Sequence, residues 1–274
     1  MSETGTKTGA GPILQAVTGR LSLPRTGGVI ADIHSAVLCY LEINGTLGFS
    51  QELEGSLLRI GPAYQQTPRF EKILSCLGID QDIISGDCLL SAELQGDFTF
   101  WQAGRVKITS PGGGRIYRLG LIARIFSLVN LADIFTGRIS GLDEQGFAYH
   151  QLEFEAAIKD NLLIIERAVV RGEGLNLIVR GELDLGSYQA DMVVLVAPFK
   201  TLDAIVGRVP FIGRIVGGEN ATIITIPVGL RGDIRNPDLT VLDPGAVGQG
   251  LLNLVESVLG LPFNIISPVL PSTP

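Results

Sequence analysis

The residue types that most often carry out chemistry are few in this chain of 274 residues, and they are scattered. Neither of its two histidines, His34 and His150, has a cysteine or carboxylate at a metal-ligand spacing. His150 shares strand parity with Leu152 and Phe154, which favours a strand histidine over a general base. No serine lies in a G-x-S-x-G motif, and the glycines at 112 to 114 lack a phosphate-loop spacing. The sequence predicts no catalytic residue, metal ligand or cofactor.

Carboxylates are plentiful, but their spacing indicates a solvated surface. Glu153, Glu155, Glu182, Asp184 and Asp191 alternate with apolar residues, which places them on the outer face of a sheet. Acid–base catalysis by a carboxylate pair needs the two groups to converge in a cleft. We therefore expect a protein that is not an enzyme.

The three cysteines, Cys39, Cys76 and Cys88, form no closely spaced pair, and their number is odd. This pattern predicts neither a disulfide framework nor a zinc site. Cys39 and Cys88 fall at apolar positions of strand-like runs, which favours small buried hydrophobic side chains.

Charge and hydropathy exclude several classes of partner. The net charge is −7 and no Lys/Arg cluster is interleaved with aromatics, so we expect no nucleic-acid partner. Residues 1 to 12 lack the basic start and apolar run of a signal peptide, and no stretch is long and apolar enough for a transmembrane helix. We expect this chain to carry neither a signal peptide nor an anchor.

The dominant pattern of the chain is strict alternation of apolar and polar residues, which is typical of a strand with one buried face. Four such runs follow one another between residues 147 and 197, and the residues at 159 to 161, Lys-Asp-Asn, are a hairpin signal. Links this short predict an antiparallel meander. The last two runs present one apolar face, made of Leu177, Val179, Leu183, Leu185, Met192, Val194 and Val196.

Helices are predicted at four places. Residues 68 to 79, 119 to 135 and 199 to 218 have apolar side chains at helical spacing, and Asp243-Pro244 is a good start for a terminal helix over 246 to 259. A strand is predicted at 222 to 234, with Pro227 suiting an edge or a bulge. The residues thus predict one continuous β layer that carries three or four short amphipathic helices.

Three stretches carry a resemblance to a known family. They are GRVKITSPGGGRIYRLGLIARIFSLVNLADIF, GFAYHQLEFEAAIKDNLLIIERAVVRGEGLNLIVRGELDLGSYQADMVVLVAP and PVGLRGDIRNPDLTVLDP. Their order and spacing resemble the AsmA-like C-terminal region of bacterial envelope proteins of the AsmA, YhdP and TamB group. The match runs from about residue 84 to 258. It divides the chain into a flexible N-terminal segment (1–28), irregular β structure with a short helix (29–83), the AsmA-like domain (84–260) and a Pro-rich tail (261–274).

The resemblance implies a mainly β fold in which a long antiparallel sheet curls into an open groove, apolar within and polar outside. It also implies a periplasm-facing place in the bacterial cell envelope, associated with the inner membrane, and participation in phospholipid transport toward the outer membrane. The chain departs from the family because it is short and has no N-terminal anchor. We expect either a piece of a longer anchored protein or a chain held by a membrane-anchored envelope protein.

The residues support the hypothesis of phospholipid transport independently of the resemblance. In this hypothesis the ligands are phospholipid acyl chains, and the groove is lined by the seven apolar residues from Leu177 to Val196. An apolar lining lowers the cost of passing an acyl chain through water without needing a specific pocket. Two alternatives stay open. The apolar face could be a closed core under the helices at 119 to 135 and 246 to 259, or the chain could be a structural or interaction module in outer-membrane assembly.

Overall fold

The computed structural model describes residues 14–25, 27–48, 56–62, 67–79, 83–97, 100–117, 121, 124–125, 128, 142–143, 146–172, 175–198, 223–243 and 263–265. Strands dominate this part of the chain. The elements are β1 (Gln15–Ser22), β2 (Ile30–Leu38), β3 (Leu41–Gly48), β4 (Ser56–Pro62), α1 (Phe70–Cys76), β5 (Ile84–Gly86), β6 (Leu89–Gly96), β7 (Trp101–Ser110), β8 (Gly114–Ile116), β9 (Leu142–Asp143), β10 (Gly146–Lys159), β11 (Leu162–Gly172), β12 (Leu175–Asp184), β13 (Gln189–Pro198), β14 (Ile223–Asp233), β15 (Asp238–Val241) and β16 (Phe263–Ile265).

One large open sheet contains these strands, which confirms the prediction of a mainly β, antiparallel fold. Twelve strands pair in the order β1-β2-β3-β4-β6-β7-β10-β11-β12-β13-β14-β15, and β1 and β15 are the two ends of this path. All pairs along it are antiparallel, whereas β16 pairs with β14 in parallel. Because β4 pairs directly with β6, the sheet runs across the domain boundary predicted between residues 83 and 84.

Tight turns with left-handed backbone join the long strands. Asp160 and Asn161 both have positive φ, 49° and 65°, between β10 and β11, as a two-residue type I′ hairpin requires. The Asn161 N–H donates to the Trp101 carbonyl (2.7 Å), so this turn also contacts the start of β7. The meander predicted over residues 147 to 197 is present as β10 to β13.

The described part of the chain contains fewer helices than the sequence predicted for the whole. Within the described residues only α1 is a complete helix, whereas three or four were expected. The residues of the second predicted helix that the structure describes, Leu121, Arg124, Ile125 and Leu128, are helical. The helices predicted at 199 to 218 and 246 to 259 lie outside the described residues.

A disulfide between Cys39 and Cys76 corrects the prediction that no cysteines pair. Cys39 begins the turn between β2 and β3, Cys76 ends α1, and their Cα atoms are 5.4 Å apart. Their separation of 37 positions in the sequence hides this proximity from a reading of local spacing. Cys88 is free and buried, as predicted, and burial raises the pKa of its thiol to about 12. The thiol is therefore protonated and inert at neutral pH.

Tyr149 of β10 holds the short strands β5 and β8 in place. Its hydroxyl donates to the Ser85 carbonyl (2.7 Å) and lies 3.2 Å from the Oγ of the fully buried Ser110. A side chain at Gly86 or Gly114 would collide with this hydroxyl, since an added Cβ would lie only 2.8 or 2.7 Å from it. Glycine at both positions lets the tyrosine reach its acceptor.

Tyr149→Phe is expected to lower the free energy of unfolding by about 1 to 2 kcal/mol, because the Ser85 carbonyl and Ser110 hydroxyl lose a partner in a buried site. Urea unfolding measures the change. Tyr188→Phe is the matched control, since Tyr188 is exposed and its ring, which stacks on Arg235, is retained. Equal stability of the two variants would contradict this role for Tyr149.

Candidate functional site

A continuous row of apolar or glycine positions crosses the sheet from β2 to β15. Directly paired residues of an antiparallel sheet point to the same face, so the register alone defines the row. Its members are Ala36, Ile43, Ile60, Ala92, Val106, Ala156, Ile165, Gly181, Met192, Leu230 and Leu239. Eleven strands at about 4.8 Å spacing give this row a length of about 48 Å. We call it, with the parallel rows beside it, the apolar strip.

The neighbouring row repeats the pattern and widens the strip. Phe154 lies between Ile108 and Ala168 in the register. From there the row continues through Val179, Val194, Val228 and Val241 on one side and reaches Leu90 on the other. The strip is therefore at least two side chains wide over most of the sheet.

The opposite face carries cross-strand ion pairs. Lys107 pairs with Glu155 (2.7 Å), Arg59 with Glu93 (3.2 Å) and Arg231 with Asp191 (3.2 Å). Exposed pairs of this kind contribute little to stability, about 0 to 1 kcal/mol each. Their charged side chains keep this face hydrated, as the alternation of apolar and polar residues in the sequence predicted.

Glu153 is the carboxylate with the most elaborate set of partners. It accepts from Arg171 (2.9 Å) and pairs with Arg167 (2.8 Å). Partial burial raises the pKa of Glu153, but the hydrogen bond from Arg171 and the charge of Arg167 outweigh that effect, so its pKa lies below the ordinary value. The group is ionised at neutral pH and serves as a structural partner.

The residues that the structure describes contain no grouping of three or more histidine, cysteine or carboxylate side chains that could bind a metal ion. His34 and His150 are both exposed. A surface depression of about 510 Å³ on the polar face is lined by residues that pair with one another, among them Arg59, Glu93, Lys107 and Glu155.

The cover over the apolar strip differs along its length. Toward β15 the strip is a packed core, because Leu121, Ile125 and Leu128 of the helical segment contact the buried side chains of β12 to β14. Near β3, α1 covers it through Ile73, which packs with Leu41 and Cys88. Both helical segments lie toward the same end of the strands, the end of Leu90, Ile108 and Leu152.

Between these two covers lies a stretch of the strip whose apolar side chains are only partly buried. These side chains lie on β4, β6 and β7. Their polar-face neighbours on β6 and β7 and Arg59 of β4 are exposed, whereas Leu57 of β4 is partly buried. We call this stretch the open section; it consists of Leu58, Ala92, Leu94 and Val106.

The seven residues predicted to line a groove lie in the covered part of the strip or beside it. Leu177, Met192, Val194 and Val196 are buried, and Val179 and Leu183 are half-buried and pack against the same clusters. Leu185 is half-buried in the turn after β12. The register brings six of them onto one face, whereas the prediction also included Leu185, which lies outside the paired strands.

The open section was missed as a site, although the alternation of β6 and β7 was visible in the sequence. Period-two patterning identifies an apolar face, but it does not tell which part of that face the rest of the chain covers. Only the register and the helical contacts make that distinction.

No family model, curated protein or solved structure matches the chain. Among the described residues, no helix has the length and apolar character needed to cross a membrane. The resemblance to the AsmA-like region therefore stays a prediction.

Proposed function

We propose that the chain is a non-catalytic domain of the bacterial cell envelope whose apolar strip takes part in phospholipid transport between the inner and outer membranes. The observation that carries this proposal is the open section, a part of the apolar strip that is only partly buried and belongs to a surface that continues across eleven strands. Soluble monomeric proteins rarely expose a large contiguous apolar surface unless it binds something.

The energetics of an acyl chain fit such a surface. Moving one methylene from an apolar environment into water costs about 0.8 kcal/mol, so a tail of about sixteen carbons costs on the order of 12 kcal/mol. A strip of aliphatic side chains removes much of this cost. Because its side chains are alike along its length, no single position holds the tail strongly, and the lipid can move on.

The proposal includes a curled sheet. A twisted sheet of many strands curves unless something flattens it. Ile158 and Ile33 are buried although each is paired on the strip face with glycine, Gly104 for Ile158 and Gly45 for Ile33. Their burial is compatible with a strip that lies inside a concave surface. In that arrangement acyl chains contact the open section while headgroups stay in water.

The disulfide supports the proposed location. Structural disulfides persist in oxidising compartments such as the bacterial periplasm and are rare in the cytosol. The Cys39–Cys76 bond ties α1 to the turn between β2 and β3, at one side of the open section. A periplasm-facing domain, held there by a membrane-anchored envelope protein, is consistent with this chemistry.

Cysteine labelling tests the proposal at two adjacent residues of β6. Ala92→Cys places a thiol in the open section, and Ser91→Cys places one on the exposed polar face. The native cysteines do not interfere, since two are paired and one is buried. With an environment-sensitive bimane label, addition of phosphatidylglycerol/phosphatidylethanolamine vesicles is expected to shift the emission to the blue at position 92 and leave it unchanged at 91.

A second candidate function, a structural or interaction module in outer-membrane assembly, is favoured by the burial of Leu177, Met192, Val194 and Val196. A strip that is covered along its whole length would be a core. Unchanged emission at both labelled positions would support this candidate and contradict the transport proposal.

A further inference from the structure

Strand β1 is the most exposed apolar element of the described chain. Every residue of β1 from Gln15 to Leu21 is exposed. Of the ten large apolar side chains that are exposed among the described residues, four lie on or beside this strand: Leu14, Val17, Leu21 and Leu23. Leu21 and Leu23 are 68% and 73% exposed, which exceeds the exposure of any of the other eight.

The outer edge of β1 can form a further β ladder. Among the described strands β1 pairs only with β2, so its other side presents backbone N–H and C=O groups without strand partners. Natural edge strands are usually guarded by charges, proline or an inward-pointing lysine. Here the only charged residue of the strand is Arg20, and Pro24 comes after its end. Such an edge is suited to pairing with another strand.

The register with β2 shows which face each β1 residue occupies. Gly19 and Leu21 pair with Ile33 and Ala31, so they belong to the face of the apolar strip. Thr18 and Arg20 alternate with them and belong to the polar face. The strip therefore continues to the outer edge of the sheet and ends there in exposed leucines.

We propose that the partner of this edge is a second copy of the chain, with the two β1 strands paired antiparallel about a two-fold axis through Gly19. In this register Val17 lies opposite the partner's Leu21, and Thr18 lies opposite the partner's Arg20. The strand is thus complementary to itself in its apolar contacts, and the register brings no like charges opposite each other. A two-fold axis normal to the sheet keeps both apolar strips on one side, so the dimer carries one strip of twice the length.

The two neighbouring two-fold registers are less favourable. Centring the axis on Arg20 would place the two guanidinium groups directly opposite each other. Centring it on Thr18 would place Arg20 opposite the partner's Ala16, whose φ of 50° interrupts the extended backbone. Registers shifted by one residue would set the apolar strip of one copy beside the polar face of the other.

Sedimentation equilibrium over a concentration series tests the dimer with the whole chain. The average mass of the wild type is expected to rise from 29.2 kDa toward twice that value. Leu21→Glu places a charge opposite the partner's Val17 and is expected to weaken association about tenfold or more. Ile79→Glu is the matched control, because Ile79 is also exposed but lies beyond α1, and it should leave association unchanged. A wild type that stays monomeric, or a dimer that Leu21→Glu leaves intact, overturns the proposal.

Cross-linking tests the register itself. The double variant Val17→Cys/Leu21→Cys is expected to form intermolecular disulfides on oxidation, because these positions face each other across the two-fold axis. Val17→Cys alone should not, since the two copies of position 17 lie about 13 Å apart along the strands. Equal cross-linking of the single and double variants would overturn the register. The proposed dimer does not depend on lipid binding. Sedimentation equilibrium and bimane labelling at position 92 therefore test the dimer and the lipid proposal separately.

Discussion

Replacing Cys39 and Cys76 by alanine is expected to lower the free energy of unfolding by about 4 kcal/mol, because the unfolded chain loses a cross-link that closes a loop of nearly forty residues. The residues are separated by 37 positions. The loss should be felt most at α1. This helix has seven residues, no side-chain hydrogen bond at its N-cap, and Ile73 as its one buried side chain. A helix this short has little stability without tertiary support.

Urea unfolding without reductant measures this effect, and Cys88→Ala is the matched control because it removes a buried thiol without breaking the disulfide. Thiol titration checks the pairing itself. We expect no reactive thiol in the native protein, one after unfolding and three after unfolding with reductant. Three reactive thiols in the unfolded, unreduced protein would contradict the disulfide, as would a double variant as stable as the wild type.

The second large effect is expected for Phe147→Ala, which should cost about 3 to 5 kcal/mol of folding free energy. Phe147 is fully buried at the start of β10 and belongs to the core cluster that includes Ile125 and Leu175. Its ring lies over Gly172, where an added Cβ would collide with it. Glycine has no side chain that could move into the vacated space, so a cavity should remain.

Chemical denaturation measures the free energy of unfolding of Phe147→Ala and of the control Phe100→Ala. The difference between the two variants separates the effect of core packing from the effect of removing an aromatic ring. Phe100 is 43% exposed, so its truncation should cost less than about 1 kcal/mol. If Phe147→Ala proved no more destabilising than Phe100→Ala, the end of the strip near β10 would not be a packed core.

Local sequence patterns were sufficient to predict much of the fold. Alternation over residues 147 to 197 predicted four antiparallel strands, and the Asp160-Asn161 signal marked the correct hairpin turn. Both depend on near neighbours in the sequence, since side-chain parity and turn conformation are local properties. The short helix predicted at 68 to 79 is present as α1 for the same reason, and its end at Gly78 has the positive φ that the glycine permits.

Features that depend on distant residues were not predictable in this way. The pairing of β4 with β6 skips α1 and β5 in the sequence, and the Cys39–Cys76 bond joins α1 to the turn between β2 and β3. The Pro227 strand was expected at an edge or a bulge, but β14 lies between β13 and β15. Pro227 fits there because β15 pairs only with Val228–Arg231 and β16 only with Ile223–Thr225, which leaves the proline between them.

The candidate site was predicted only in part, and the reason is physical. An apolar face must be covered by something, and alternation in sequence does not distinguish a helix of the same chain from a lipid. Leu177 and Val194 are covered by the chain itself, through contacts with the helical segment at Ile125. The open section on β4, β6 and β7 has the same alternation without such a cover.

The proposed transport function requires that acyl chains bind to the open section of the apolar strip. Photocross-linking with a phospholipid that carries a diazirine on its acyl chain, followed by mass-spectrometric mapping, tests it most directly. We expect adducts at strip-face residues such as Ala92, Leu94 and Val106, and a clear loss of adducts in Ala92→Asp but not in Ser91→Asp. Adducts spread equally over the polar face, or none at the open section, would contradict the account.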